Sequence, residues 1–104
     1  MIVSTTETVP GREVSEILGV VTGNVVQARN IGRDLQAGLR NIVGGRVGVY
    51  SEMLAGARAE ATRQMVENAG GINADAVVNV RYTTSAISQG MSEILAYGTA
   101  VRLR

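Results

Sequence analysis

The chain has no cysteine, no histidine, no lysine, no phenylalanine and no tryptophan, and it has one proline in 104 residues. The first two absences exclude the most. Without thiol or imidazole there is no disulfide, no Ser-His-Asp or Cys-His catalytic set, no zinc ribbon and no haem ligation by those groups. Carboxylates, backbone oxygens and Met thioethers are the metal donors left, and the nine scattered acidic residues do not form a motif such as an EF-hand loop. No apolar run approaches the length of a membrane-spanning helix. The opening MIVSTTETVPGRE has neither the basic start nor the apolar stretch of a signal peptide. No membrane insertion is expected, and the cytoplasm is the expected location.

Charge is also scarce. Only 18% of residues are charged, against about 25% in an average soluble domain. The ten basic residues, all Arg, and the nine acidic ones leave a formal charge of +1. They form no basic block, so nucleic acid is not an expected partner, because phosphate contacts dominate that affinity. At this length the chain makes one core and one domain, residues 1–104. Built from Val, Ile, Leu, Ala and Met, such a domain has apolar surface left over. Burying that surface against copies of itself is the simplest remedy.

Glycine and the β-branched residues mark the elements. Met1 to Thr6 is β-rich and Pro10-Gly11 marks a turn. Val14 to Gln27 is dense in Val and Ile, with Gly19 and Gly23 expected at a bend or bulge. From Asn30, a possible N-cap, Ile31, Leu35, Leu39 and Ile42 recur at helical spacing, and Gly44-Gly45 reads as a stop. A longer helix is expected from Ser51, with Leu54, Ala57, Ala61, Met65 and Ala69 inward and Gly70-Gly71 at its end. Two strands close the reading, Ala76 to Ala86 with Val78, Val80 and Tyr82 on one face, and Ile94 to Leu103. A hairpin loop joins them. The expectation is an α+β fold in the order β-β-α-α-β-β, with a mostly antiparallel sheet.

Candidate chemistry is thin. Gly19 to Gly23 lacks the strand-loop-helix context and the Lys of a phosphate loop. Gly44-Gly45-Arg46 has two readings, an anion cradle of free amides at the second helix start or a plain C-cap and turn. Arg33, Asp34, Arg40, Arg46, Tyr50 and Glu52 gather around the two helices. A ring would bring them together at each subunit junction, as a polar pocket or as an intersubunit salt-bridge network. Arg33, Asp34, Arg46 and Tyr50 are the candidate ligand-binding residues. No catalytic residue is assigned, no cofactor is identified, and any metal ligands stay unspecified.

Across these segments the chain resembles the YbjQ-like family of small bacterial and archaeal domains, which carries a heavy-metal-binding label. The resemblance rests on STT at Ser4 to Thr6, GVVTG at Gly19 to Gly23, NIGRDLQAGLRNIVGGRVGVY at Asn30 to Tyr50, ADAVVNV from Ala74 and YGTAV at Tyr97 to Val101. It implies a dodecin-like α+β fold, a homopentameric ring and a metal-binding role. Soft metals prefer thiolates, which this chain lacks. Where the family tends to have Leu-Gly-Ala-Asp, this chain has Ile72-Asn73-Ala74-Asp75, and Asn tolerates the left-handed backbone that Gly accepts. The functional expectation is a non-enzymatic homo-oligomeric module, pentameric by resemblance, that binds a small ligand or metal ion. The alternative is a structural or protein-interaction ring with no ligand.

Overall fold

The computed structural model describes residues 1–27, 45–88 and 90–104, and within the helix its side chains from Ser51 onward. In chain order come β1 (Ile2–Val3), β2 (Val14–Gln27), α1 (Gly45–Gly71), β3 (Ala76–Ser88) and β4 (Met91–Leu103). The strands form one sheet in the order β1-β3-β4-β2. β4 pairs antiparallel with both β2 and β3, and β1 adds to β3 in parallel. The fold is α+β, but the two-helix order is corrected. Among the described residues the order is β-β-α-β-β, in a mixed sheet. The helix expected at Asn30 to Ile42 lies outside the described residues.

Helix α1 starts at Gly45, six residues ahead of the expected start at Ser51, so the stop assigned to Gly44-Gly45 is overturned at Gly45. Gly45, Val47, Gly48 and Val49 are poor helix formers. Their poor propensity is outweighed because elongation adds a hydrogen bond per residue once a helix is nucleated, and the Ala-, Glu- and Arg-rich segment behind them nucleates it. At the other end the Ala74 amide donates to the Ala69 carbonyl and the Asn73 amide to Gly70, both at 3.1 Å. Asn73 is left-handed at φ 62. These bonds make a Schellman cap with Asn73 at C′, where glycine is usual.

Ala57, Ala61, Met65 and Ala69 recur every fourth residue and are buried against Val21, Val77, Val80, Ile94, Ala96 and Ala100. Three alanines in that stripe let the helix sit low on the sheet. At Gly23 the approach is closest, since a Cβ there would lie 2.0 Å from the Ala61 carbonyl oxygen. Gly23 therefore serves helix contact and not a bend. The bend is at Gly19, where φ is 137 and the register with β4 shifts.

A second irregularity decides which side chains face where. β3 is bulged at Asn79 (φ 54), between Val78 and Arg81 in the register. An extra residue shifts the alternation by one. Val77 and Val80 thus both face the helix, whereas Ala76 and Val78 join Val101, Leu103 and Val9 in a small cluster on the other side. The expected common face of Val78, Val80 and Tyr82 is corrected accordingly, with Val78 on the opposite side. Beyond the bulge, Arg81 to Ser88 is exposed throughout on β3, while β4 beside it stays paired with β2 as far as Ser92.

Candidate functional site

The open face of the sheet holds the site. The segment after β1 runs along β3 and straps its bulge. The Asn79 amide donates to Thr6 O and the Val80 amide to Ser4 O, each at 3.0 Å. Arg81 Nη1 donates to Thr5 O at 2.9 Å. These bonds satisfy backbone groups that the bulge removes from regular pairing. The Thr6 amide donates to Ser4 Oγ at 3.0 Å and the Thr6 hydroxyl to Thr8 O at 2.7 Å. The strap then turns through Pro10-Gly11, and the Arg12 amide closes the turn on Val9 O at 3.1 Å.

Between strap and sheet opens a cleft of about 590 Å³. Val78 and Val101, both buried, form its floor, with Val14 and Ile17 beside them and Glu7, Arg12 and Glu13 on its rim. Glu13 is paired with Arg104 at 2.9 Å, and both are well exposed. Next to the cleft Ile17 is 71% and Val20 75% exposed, in a sheet whose other face is covered by α1. A second hollow of about 420 Å³ lies where Leu54 faces the outer half of the β3–β4 hairpin, lined by Thr84, Ala86, Met91 and Ile94. Leu54, expected inside, is half-exposed there.

Of the four candidate ligand-binding residues, Arg33 and Asp34 lie outside the described residues. Arg46 and Tyr50 fall in the first two turns of α1, where leading amides lack intrahelical acceptors. Tyr50 stands one turn before Leu54 and the smaller hollow. Sequence reasoning missed the open-face cleft, whose residues are spread over the strap, β2, β3 and β4. One signal was present. Asn79 interrupts the β-branched run AVVNV, and an Asn there marks a break in alternation.

The donors do not fit a soft heavy metal. The chain has no Cys or His, and among the described residues no three Asp or Glu side chains come together to hold an ion. Met65 is fully buried in the core. Several carboxylates already have partners. Glu60 and Glu67 bind Arg63, Asp75 accepts from the Leu103 amide, and Glu93 accepts from Asn24. The Arg63 hydrogen bond first, and the Gln64 one second, hold the Glu60 carboxyl down at about 2. The same pairing raises Arg63.

A mixed sheet with one helix-covered face and one open face defines a small two-layer α+β domain. The model of the YbjQ family, described as "Putative heavy-metal-binding", matches residues 1–104, and the chain belongs to that family. It is 63% identical to a UPF0145 protein of Vibrio campbellii, over 99% of each chain. It is 61% identical to a UPF0145 protein of the archaeon Archaeoglobus fulgidus, over 100% of this chain and 96% of the other. The fold is also similar to a crystal structure of a protein with unknown function of the DUF74 family from Pediococcus pentosaceus. There the TM-score is 0.61 at 14% identity, over 100% of this chain and 98% of the other.

Proposed function

We propose that the protein is a non-enzymatic module that assembles with copies of itself into a closed ring, pentameric as the family resemblance implies, and holds a small ligand or ion at its subunit junctions. The supporting observation is the sheet face that no described helix covers. Ile17 and Val20 stand exposed beside an apolar cleft, in a chain too poor in charge to solvate its whole surface. The donor set favours a small organic ligand, or a hard cation held by oxygens, over a soft metal. Arg46 and Tyr50, at the start of α1, remain the described part of the proposed ligand set. Among the described residues no helix is long and apolar enough to cross a membrane, which suits the cytoplasmic setting proposed for the ring.

A second reading, a structural ring without ligand, is favoured by the lack of any metal-holding cluster among the described residues. Native mass spectrometry of untagged protein purified without chelator separates the two. A mass of five chains with a reproducible added mass supports the ligand-holding ring. Five chains with nothing added supports the structural ring. The mass of one chain, 10.9 kDa, sinks both.

A further inference from the structure

The open-face cleft joins an apolar floor to a charged rim, and each part restricts what can occupy it. Val78 and Val101, with Ile17 beside them, offer a surface for an aliphatic or aromatic group. On the rim, Glu13 is paired with Arg104 at 2.9 Å. Glu7 and Arg12 line the same cleft, and among the described residues neither side chain has an ion pair or a hydrogen bond. One free carboxylate and one free guanidinium thus border one apolar floor. Asn79, at the bulge, and the half-buried Thr99 add a carboxamide and a hydroxyl to the lining. The volume, about 590 Å³, falls within the ~300–1,000 Å³ usual for small-molecule sites.

Those charges select the occupant. A purely apolar surface laid over the cleft would leave Glu7 and Arg12 buried without partners, which is costly. An apolar anion would meet Arg12 but be repelled by Glu7, and an apolar amine would face the reverse conflict. A molecule that carries one charge of each sign next to an apolar group complements rim and floor together. We propose that the cleft binds a free α-amino acid with an apolar side chain. Its carboxylate accepts from the Arg12 guanidinium, assisted by Asn79 and Thr99, and its ammonium donates to Glu7. Its side chain lies on Val78 and Val101. The site is complete within one chain, at the opposite end of β2 from Gln27, and uses no residue of α1. It goes beyond the subunit-junction reading above and does not depend on it.

Calorimetric titration of the full chain with L-leucine tests this, beside isocaproate, which lacks the ammonium, and isoamylamine, which lacks the carboxylate. Leucine is expected to bind saturably, one molecule per chain. Each analogue should bind about tenfold more weakly or worse, as befits the loss of a charge-assisted hydrogen bond. Arg12→Gln and Glu7→Gln, at exposed positions, should weaken leucine by a similar factor. No saturable binding of leucine at millimolar concentration overturns the proposal. So does an analogue that binds as well as leucine, or a folded variant that binds it like the wild type. Should a variant fail to fold, methyl NMR of the wild type decides. Leucine should shift Val78, Val101 and Ile17 and leave Leu54 in place, and shifts that spare all three cleft residues overturn the site. A wild type that binds leucine as a single chain overturns the ring reading and supports this one.

Discussion

Gly23 and Val20 lie three residues apart on β2, and on opposite faces of the sheet. At Gly23 the helix backbone leaves no space for a Cβ, whereas Val20 is 75% exposed, with no described helix over it. The covered face packs the alanines and Met65 of α1 against Val21, Val77, Val80 and Ile94, so closely at Gly23 that one carbon more is too many. The open face carries Val, Ile and Tyr side chains that no described residue covers. Ile17 and Val20 are as large and apolar as the Val and Ile side chains buried under the helix, yet they stand exposed. The small residues serve the close helix contact, and Ile17 and Val20 stand on a face that no described residue covers.

The most severe way to test the contrast is Gly23→Val. Its Cβ would fall on the Ala61 carbonyl, and overpacking of this kind costs about 3 kcal/mol or more. Urea unfolding of the variant is expected to show an unfolded or molten chain. Met65→Ala removes the largest fully buried side chain of the same face and is expected to cost about 2–5 kcal/mol. Asn73→Ala acts on neither face and tests the cap between them. Asn tolerates the left-handed backbone through its short polar side chain and Ala does not, so a loss of about 1 kcal/mol is expected, with Asn73→Gly neutral or better.

Val20→Ser is the counterpart of Gly23→Val. At dilutions where single chains prevail it is expected to change stability by less than about 0.5 kcal/mol. At higher concentration it should weaken assembly, and an unchanged assembled mass would exclude Val20 from any contact. The smallest effect is expected on the outer surface of α1. The Glu60 carboxyl is lowered from its ordinary 4.5 to about 2 by Arg63 and then Gln64. A depressed carboxylate contributes stability that is whole above its unfolded value and is lost as pH falls through the folded one. Glu60→Gln should therefore flatten the decline in melting temperature between pH 4.5 and about 2. The effect should be slight and salt-sensitive, because the pair is exposed.

Strand and helix types were legible wherever local chemistry and tertiary demand agreed. Val14–Gln27 was readable to its end residues, and Ala57, Ala61, Met65 and Ala69 were readable as an inward stripe. The misreadings fall where distant contacts decide. Gly23 looks like a bend from sequence, and only the helix laid across it shows why a side chain is excluded. Gly45 looks like a stop, because propensity is local while helix extension draws on the turns that follow. Val78 and Val80 look like neighbours on one face until the bulge at Asn79 separates them. The cleft was hidden for a related reason. Its lining comes from segments at opposite ends of the sequence, and nothing in their spacing announces that Glu7 and Val101 line one cleft.

The place of β4 has a consequence for how the protein is made. It is the strand to which both β2 and β3 bind, and it follows them all in the sequence. While the chain emerges at about 5–20 residues per second, β2 is finished several seconds before any described strand exists for it to pair with. A nascent chain ending just after α1 has a helix but no described partner for its longest strand. The sheet is therefore expected to form in one late event once β4 is free. Over that interval the Val- and Ile-rich β2 is the segment most in need of a holding chaperone.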